Sequence, residues 1–182
     1  VDSVTDCTPS TADWAIRFNG PANSIDWAFD IAVDASGNVF VTGGSNDVSG
    51  GNYRDFATIK YNQQGDTLWV KNYNGTANLD DEAVAITLDA NGNIIVVGKS
   101  KNANNDYDIV TIKYNTSGTV VFEKRYNGSV NGNDIPTDVT TDNSGNVYTV
   151  GYSKQTVNYD YYITIKYTST GNAVQDAINA II

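Results

Sequence analysis

Short apolar stretches alternate with segments rich in Asn, Gly and Asp along most of the chain. The clearest unit is the ten-residue stretch DASGNVFVTG at 34–43, which recurs as DANGNIIVVG at 89–98 and DNSGNVYTVG at 142–151. Its Asp can accept backbone hydrogen bonds, its Gly can adopt a positive φ, and the β-branched run that follows favours a strand. The unit therefore predicts a turn followed by a strand. Three copies, 55 and 53 residues apart, indicate a repeat protein.

Three further strand patterns recur around this unit. A stretch ending in Thr-Ile-Lys-Tyr appears three times, an aromatic strand ends in Tyr-Asn-Gly in the first two units, and another strand precedes each turn. An extra copy of the aromatic strand lies at 14–18, ahead of the first unit. The predicted strands are 28–33, 38–43, 56–61 and 67–73 in the first unit, 83–88, 93–98, 109–114 and 119–126 in the second, and 136–141, 147–151 and 163–167 in the third. The residues predicted to be buried are Val39, Val41, Ile59, Ile94, Val96, Ile112, Val147 and Ile165.

Two hairpins per unit predict one four-stranded antiparallel sheet, which is the pattern of a β-propeller blade. The fold class is therefore all-β, with three propeller-type blades of four antiparallel strands each. In the third unit the fourth strand is atypical, because the stretch after Gly171 lacks the aromatic residues of its counterparts. Three blades are too few to close a ring, so we expect strand-exchange closure, within a larger ring or between chains. The predicted boundaries are a linker or leader at 1–13, a spare strand and loop at 14–27, blades at 28–75, 76–128 and 129–174, and an apolar tail at 175–182.

These motifs together resemble a known repeat family. The pattern D-x-x-G-N-x-x-V/T-x-G, followed by T-I-K-Y and W-x-x-x-Y-N-G, is similar to the bacterial secreted β-propeller repeat family labelled SBBP, over about residues 14–174. The resemblance implies propeller blades on an extracellular bacterial protein. The family is defined by its architecture, so the resemblance carries no catalytic residues over to this chain.

Composition excludes several classes of partner. The 21 acidic and 11 basic residues give a net charge of −10, which repels the phosphate backbone and anionic lipid. No apolar run approaches the ~18 residues that span a membrane. We therefore expect no nucleic-acid partner and no membrane insertion. The abundance of Asn, Gly, Thr, Ser and Tyr favours a secreted or cell-surface protein.

Candidate catalytic and metal-binding groups are scarce. The chain has no histidine, so the commonest general base is missing, and Cys7 stands alone among soft metal ligands. We expect no enzymatic activity, no catalytic residue and no cofactor. The weak calcium candidates are Asp80, Asp81 and Glu82 in one acidic loop, although their spacing matches no known calcium loop. Asp34, Asp89 and Asp142 are interpreted as turn caps in preference to calcium ligands.

Other recurring side chains have two interpretations each. Lys60, Lys113 and Lys166 are expected to be strand lysines with solvated ends, and an anion-binding ring is the alternative. The recurring aromatic residues are expected to pack between blades, and a sugar-binding surface is the alternative. The sequons at Asn74, Asn115 and Asn127 fit the glycosylation pattern, but they also lie in predicted turns.

The leading hypothesis is a non-enzymatic secreted structural protein that self-assembles as a homo-oligomer or filament of identical chains. The spare strand at the start and the missing strand at the end occupy the same repeat position, so one chain can complete another. The alternative is an extracellular glycan- or protein-binding propeller module. The predicted interface residues are Trp14, Ile16, Phe18, Cys7, Ile178, Ile181 and Ile182.

Overall fold

A computed structural model describes residues 13–46, 53–156 and 158–172, and within them every regular element is a β-strand. The strands are β1 (Asp26–Val33), β2 (Val39–Asn46), β3 (Arg54–Tyr61), β4 (Thr67–Tyr73), β5 (Asp81–Leu88), β6 (Ile94–Lys101), β7 (Tyr107–Tyr114), β8 (Val120–Tyr126), β9 (Asp134–Thr141), β10 (Val147–Lys154) and β11 (Asp160–Tyr167). Each lies where a strand was predicted, and many extend two or three residues further.

The strands form three antiparallel sheets in chain order. Sheet 1 has the order β1-β2-β3-β4, sheet 2 the order β5-β6-β7-β8, and sheet 3 the order β9-β10-β11. The prediction of four strands is thus confirmed for the first two units. In the third unit the predicted fourth strand falls beyond residue 172, outside the described residues. In this part of the chain β11 pairs only with β10.

The core lies between neighbouring sheets. Phe40 and Phe56 of sheet 1 pack with Ile94, Val96 and Ile112 of sheet 2 in one apolar cluster. The other side of sheet 2 packs against sheet 3 in a second cluster. We call the side of a sheet that faces the preceding sheet its front face, and the opposite side its back face. Because successive residues point to opposite faces, the consecutive apolar residues 94–97 supply both faces of sheet 2, and all four are fully buried.

Three burial predictions are wrong. Val39, Val41 and Ile165 are half-buried, whereas Ile59, Ile94, Val96, Ile112 and Val147 are buried as predicted. Val39 and Val41 lie on the front face of sheet 1, where no earlier sheet covers them within the described residues. Ile59 lies on the same front face and is nevertheless buried, and Ile165 is only half-buried although it packs in the cluster between sheets 2 and 3. The repeat position alone therefore does not decide the burial of a residue.

The segment 14–18 is not a strand, although a strand was predicted. It has no assigned strand and pairs with none of the strands described above. It nevertheless lies against sheet 1, as shown below. The described residues contain no helix that could span a membrane.

Candidate functional site

The three repeated aspartates cap their turns. Asp34 Oδ1 accepts hydrogen bonds from the backbone N–H groups of Ser36 and Asn38, both at 2.9 Å, and Oδ2 accepts from Asn38 Nδ2 at 2.7 Å. Asp89 and Asp142 make the same set of bonds. The glycine of each turn has a φ of 75°. The turn interpretation is confirmed, since these carboxylates are used by their own turns.

The repeated lysines differ from their prediction. Lys60 and Lys113 are buried and lie on interior strands, because β3 and β7 each have neighbours on both sides. Lys113 Nζ lies 2.8 Å from Asp89 Oδ2, and it donates to the backbone carbonyls of Gly145 and Ser169. A solvated end was therefore the wrong expectation for these two lysines. Burial became possible because the next sheet supplies acceptors to the ammonium group.

The carboxylates of Asp80, Asp81 and Glu82 do not converge on one point. Asp80 pairs with Lys101 at 3.4 Å, and Glu82 pairs with Arg54 at 2.6 Å and Lys99 at 3.0 Å. Asp81 turns inward and accepts the backbone N–H of Gly75 at 2.5 Å. No group of three or more His, Cys, Asp or Glu side chains that could hold a metal ion exists in the described part of the chain. The three calcium candidates therefore act as two half-buried ion-pair partners and one buried cap.

A set of one glycine, one aspartate and one serine recurs where the chain enters the first strand of each sheet. This set was not predicted from the sequence. Gly128 N–H donates to Asp134 Oδ2 at 2.6 Å, as Gly75 does to Asp81 and Gly20 to Asp26. A Cβ on Gly128 would lie 2.5 Å from Ser153 Oγ, so only glycine fits. The signal was available, since Gly, Asp six residues later and Ser 19 residues after that recur in each unit.

Sheets 1 and 2 differ at the residue that contacts the serine of this set. Arg125 donates to Ser100 Oγ at 2.6 Å and to Asp108 Oδ2 at 2.8 Å. The same repeat position in sheet 1 is Asn72, whose side chain is shorter. There the counterpart hydroxyl, Ser45 Oγ, is buried and has no hydrogen-bond partner. The arginine therefore satisfies in sheet 2 a buried hydroxyl that sheet 1 leaves unsatisfied.

Replacing Asp134 by asparagine is expected to stabilise the protein at neutral pH. Asp134 is fully buried and its Oδ1 has no hydrogen-bond partner. Burial raises the pKa of this carboxyl, so the folded protein binds a proton more tightly than the unfolded chain. Its contribution to stability then falls as pH rises from the unfolded pKa, about 3.9, through the folded pKa. An amide removes the buried charge and keeps an oxygen that can accept the Gly128 N–H, for a gain of about 1 kcal/mol at pH 7.

Urea denaturation at pH 4.5 and pH 7 measures this effect. Asp134→Asn should gain more stability over the wild type at pH 7 than at pH 4.5. The control is Asp160→Asn, because Asp160 lies exposed on β11 and should show no such difference. A variant that is less stable than the wild type at both pH values contradicts the prediction.

An apolar groove lies on the front face of sheet 1. Its volume is about 620 Å³, and Trp27, Ile31, Val39 and Val41 contribute to its lining. Ile31 is 60% exposed, whereas its counterpart in sheet 2, Ile86, is 6% exposed beneath sheet 1. This face has the apolar residues of a sheet-to-sheet contact and is not covered. Exposed apolar surface of this extent marks interaction sites.

The segment 14–18 lies along one side of this groove. The Trp14 ring lies 6.3 Å from Tyr61, and its Nε1 donates to the carbonyl of Gln63 at 3.0 Å. At the next repeat, Trp69 lies 6.4 Å from Tyr114 and donates to Thr116 O at 3.4 Å. Trp14 therefore contacts sheet 1 in the same way that Trp69, on the outer strand of sheet 1, contacts sheet 2.

The turn glycine beneath this segment repeats the same correspondence. Gly65 has a φ of 86°, and its missing Cβ leaves room for Ile16 and Trp14. Gly118 makes the same space for Trp69, and Gly171 for Phe122. The segment 14–18 thus lies where the outer strand of a preceding sheet would lie. The three inner strands of such a sheet are absent from the described residues.

Sheet 3 has the matching open surface on its back face. Tyr162 is 89% exposed, and its counterparts Ile109 and Phe56 are 0% and 1% exposed. Val150 is also exposed, whereas its counterpart Val97 is fully buried. The front face of sheet 1 and the back face of sheet 3 are therefore both open. They carry the repeat positions that contact each other where one sheet packs on the next.

Of the predicted interface residues, Trp14 and Ile16 are exposed beside the groove and Phe18 is half-buried. Cys7, Ile178, Ile181 and Ile182 lie outside the described residues. The predicted packing of aromatic residues between sheets is confirmed for Trp69 and Tyr73 and for Tyr126. The amide groups of Asn74 and Asn127 donate within their own loops, and the Asn115 carbonyl oxygen caps its turn.

Comparison with known proteins supports the resemblance in two stretches. The family model for SBBP, described as a beta-propeller repeat, matches residues 13–48 and 124–156. The first stretch contains the segment 14–18 and the first hairpin, and the second contains the loop into sheet 3 and its first hairpin. No curated protein matches the chain.

Proposed function

We propose that this chain is a non-enzymatic structural module of the β-propeller type, secreted or displayed at the cell surface, that self-assembles through its sheets. The observation that carries the proposal is the position of the segment 14–18 on sheet 1. It lies in the setting of an outer strand ahead of the first sheet, while the described part of sheet 3 has three strands, the last of which pairs only with β10. The three strands of one copy and the segment of another add up to one four-stranded blade.

The two open faces support this assembly. The groove beside the segment presents Ile31, Val39 and Val41, and Val33 is exposed next to it on the same strand as Ile31. Inside the chain, the corresponding face of sheet 2 is covered by the back face of sheet 1. The back face of sheet 3 therefore has the chemistry to cover the groove of a second copy. The edge of β11 would pair with the segment 14–18 by strand addition.

This contact joins two different surfaces, so it is heterologous. It either closes a ring of two copies or continues as a head-to-tail filament. Electron microscopy distinguishes a ring from a filament.

Deleting residues 1–19 is expected to abolish self-association. The deletion removes the segment that completes the neighbour's blade but leaves all eleven described strands in place. Light scattering at micromolar concentration should show a multiple of the monomer mass for the full chain and the monomer mass for the deletion. The matched control deletes residues 1–12, keeps Trp14 and Phe18, and should associate like the full chain. A full chain that is already monomeric at micromolar concentration shows the proposal to be wrong.

A second candidate function is binding of a glycan by the same groove. Trp27 and Phe29 line the groove and are each about half exposed, with ring centroids 6.5 Å apart. Exposed aromatic faces can stack on a sugar. Saturable binding to a glycan array by an isolated ring that does not assemble further would favour this function.

A further inference from the structure

The repeated lysines link each sheet to the next one. Lys60 Nζ donates to the carbonyl of Thr116 at 3.2 Å, and Lys113 Nζ donates to the carbonyl of Ser169 at 3.2 Å. Both acceptors lie in the glycine turn between the third strand and the outer strand of the following sheet. Both bonds also span 56 residues. This contact is therefore part of how one sheet recognises its successor.

Lys166 holds the same repeat position on the back face of sheet 3. Its Nζ lies 5.0 Å from the centroid of the Tyr148 ring, as Lys60 Nζ lies 5.1 Å from the centroid of the Phe40 ring. Tyr148 and Phe40 are themselves counterparts in the repeat. The lysine is thus held in the same pose, but the described residues contain no following sheet to offer it a turn.

The corresponding turn on the open face of sheet 1 is residues 62–65. The carbonyl of Gln63 stands 53 residues before that of Thr116 and 106 before that of Ser169. It already accepts the indole N–H of Trp14, as Thr116 accepts that of Trp69. Thr116 accepts a lysine at the same time, so the carbonyl at this position serves two donors. By this correspondence, the Gln63 carbonyl can accept a second hydrogen bond, from a lysine.

Resting on the proposed self-assembly, we infer that Lys166 of one copy donates to the Gln63 carbonyl of the next copy and sets the register of the joint. A misregistered joint would bury an ammonium group without an acceptor, which is strongly unfavourable. Lys166 is thus a specificity-determining residue of the interface, and the partner it selects is a second copy of this chain.

An apolar contact follows from the same register. Within the chain, the Phe56 ring occupies the space that a side chain at Gly98 would need. The counterpart of Phe56 in sheet 3 is Tyr162, and the counterpart of Gly98 in sheet 1 is Gly43, which lines the groove. In the joint, Tyr162 of one copy therefore lies over Gly43 of the next.

The variant Lys166→Met tests the lysine contact by a concentration series in sedimentation velocity. Methionine keeps the apolar stem and loses the donor, so the concentration for half-association should rise roughly ten- to a hundredfold. The control Lys124→Met makes the same change on β8, away from both open faces, and should leave association unchanged. Unchanged melting temperatures for both variants exclude a folding defect.

The position of the joint is tested by placing a photo-crosslinking benzoylphenylalanine at Tyr162. Crosslinks between copies should fall on residues 26–46 of the partner, around Trp27 and Gly43. If the wild type associates, a Lys166→Met variant that associates equally well would overturn this inference and leave self-assembly standing. Crosslinks that fall elsewhere on the partner would do the same. A wild type that is monomeric throughout would overturn the proposed function, and this inference with it.

Discussion

Replacing Lys113 with alanine is expected to destabilise the protein by about 3–5 kcal/mol, the range for breaking a buried ion pair from one side. The Lys113 and Asp89 side chains are 3% and 0% exposed and lie 2.8 Å apart. Without the ammonium group, the Asp89 carboxylate stays buried with no counter-charge. The carbonyls of Gly145 and Ser169 also lose their donor, so the contact between sheets 2 and 3 loses two hydrogen bonds.

Urea denaturation of Lys113→Ala measures this loss, and Lys166→Ala is the matched control. Lys166 has the same neighbours in its own strand but faces no following sheet in the described residues, so its loss should change the free energy of unfolding of the monomer by less than about 0.5 kcal/mol. The measurement is made at a concentration where the chain is monomeric. A loss below about 1 kcal/mol for Lys113→Ala would show that the buried pair does not stabilise the fold.

The same pair predicts a direction with pH. Burial raises the pKa of Asp89, but hydrogen bonds from Lys113, Asn93 and the backbone outweigh it, so the pKa lies below its usual value. A lowered carboxyl pKa gives stability that is present above the unfolded pKa, about 3.9, and is lost as pH falls through the folded pKa. Lys113→Ala should reduce this acid-dependent loss, because the lysine is the strongest of the groups that lower the pKa.

Strands and turns were predictable because the forces that form them are local. An Asp that caps its own turn and a Gly with positive φ act within five residues, and alternating side chains mark a strand without reference to the rest of the chain. Burial was less predictable, since it depends on which sheet lies opposite. Ile94 is fully buried, whereas its counterpart Val39 is half-buried, because sheet 2 has a preceding sheet and sheet 1 has none in the described residues.

The candidate site was predictable only in part, for the same reason. The repeat position of Trp14 indicated a spare outer strand, and the structure places it in that setting against Tyr61 and Gln63. It also shows that a strand sequence remains unpaired when its partner strands are missing. The burial of the lysines was not predicted, because the acceptors that lie on the next sheet are backbone carbonyls, which leave no signal in the side-chain pattern.

Replacing Gly98 with alanine is expected to destabilise the protein by about 3 kcal/mol, the upper end of the usual range for overpacking. An added Cβ would clash with the carbonyl oxygen of Glu82 and with the Phe56 ring, and would lie 2.7 Å from Ala83 Cα. Two of these neighbours are backbone atoms of the adjacent strand, so they cannot move without breaking the β5–β6 register. The third is the aromatic ring through which sheet 1 packs on sheet 2.

The control for this variant is Gly44→Ala, one residue beyond the counterpart position in sheet 1. Gly44 is also buried, but the atoms nearest to its added Cβ are side-chain carbons of Arg54 and Glu82, at 3.6 and 3.7 Å. Alanine fits there in ordinary contact and restricts the unfolded chain, so the change should be neutral or stabilising by up to about 1 kcal/mol. Thermal and urea denaturation of both variants should therefore separate them widely. Equal stability of the two would mean that sheets 1 and 2 do not pack as closely at Gly98 as the structure shows.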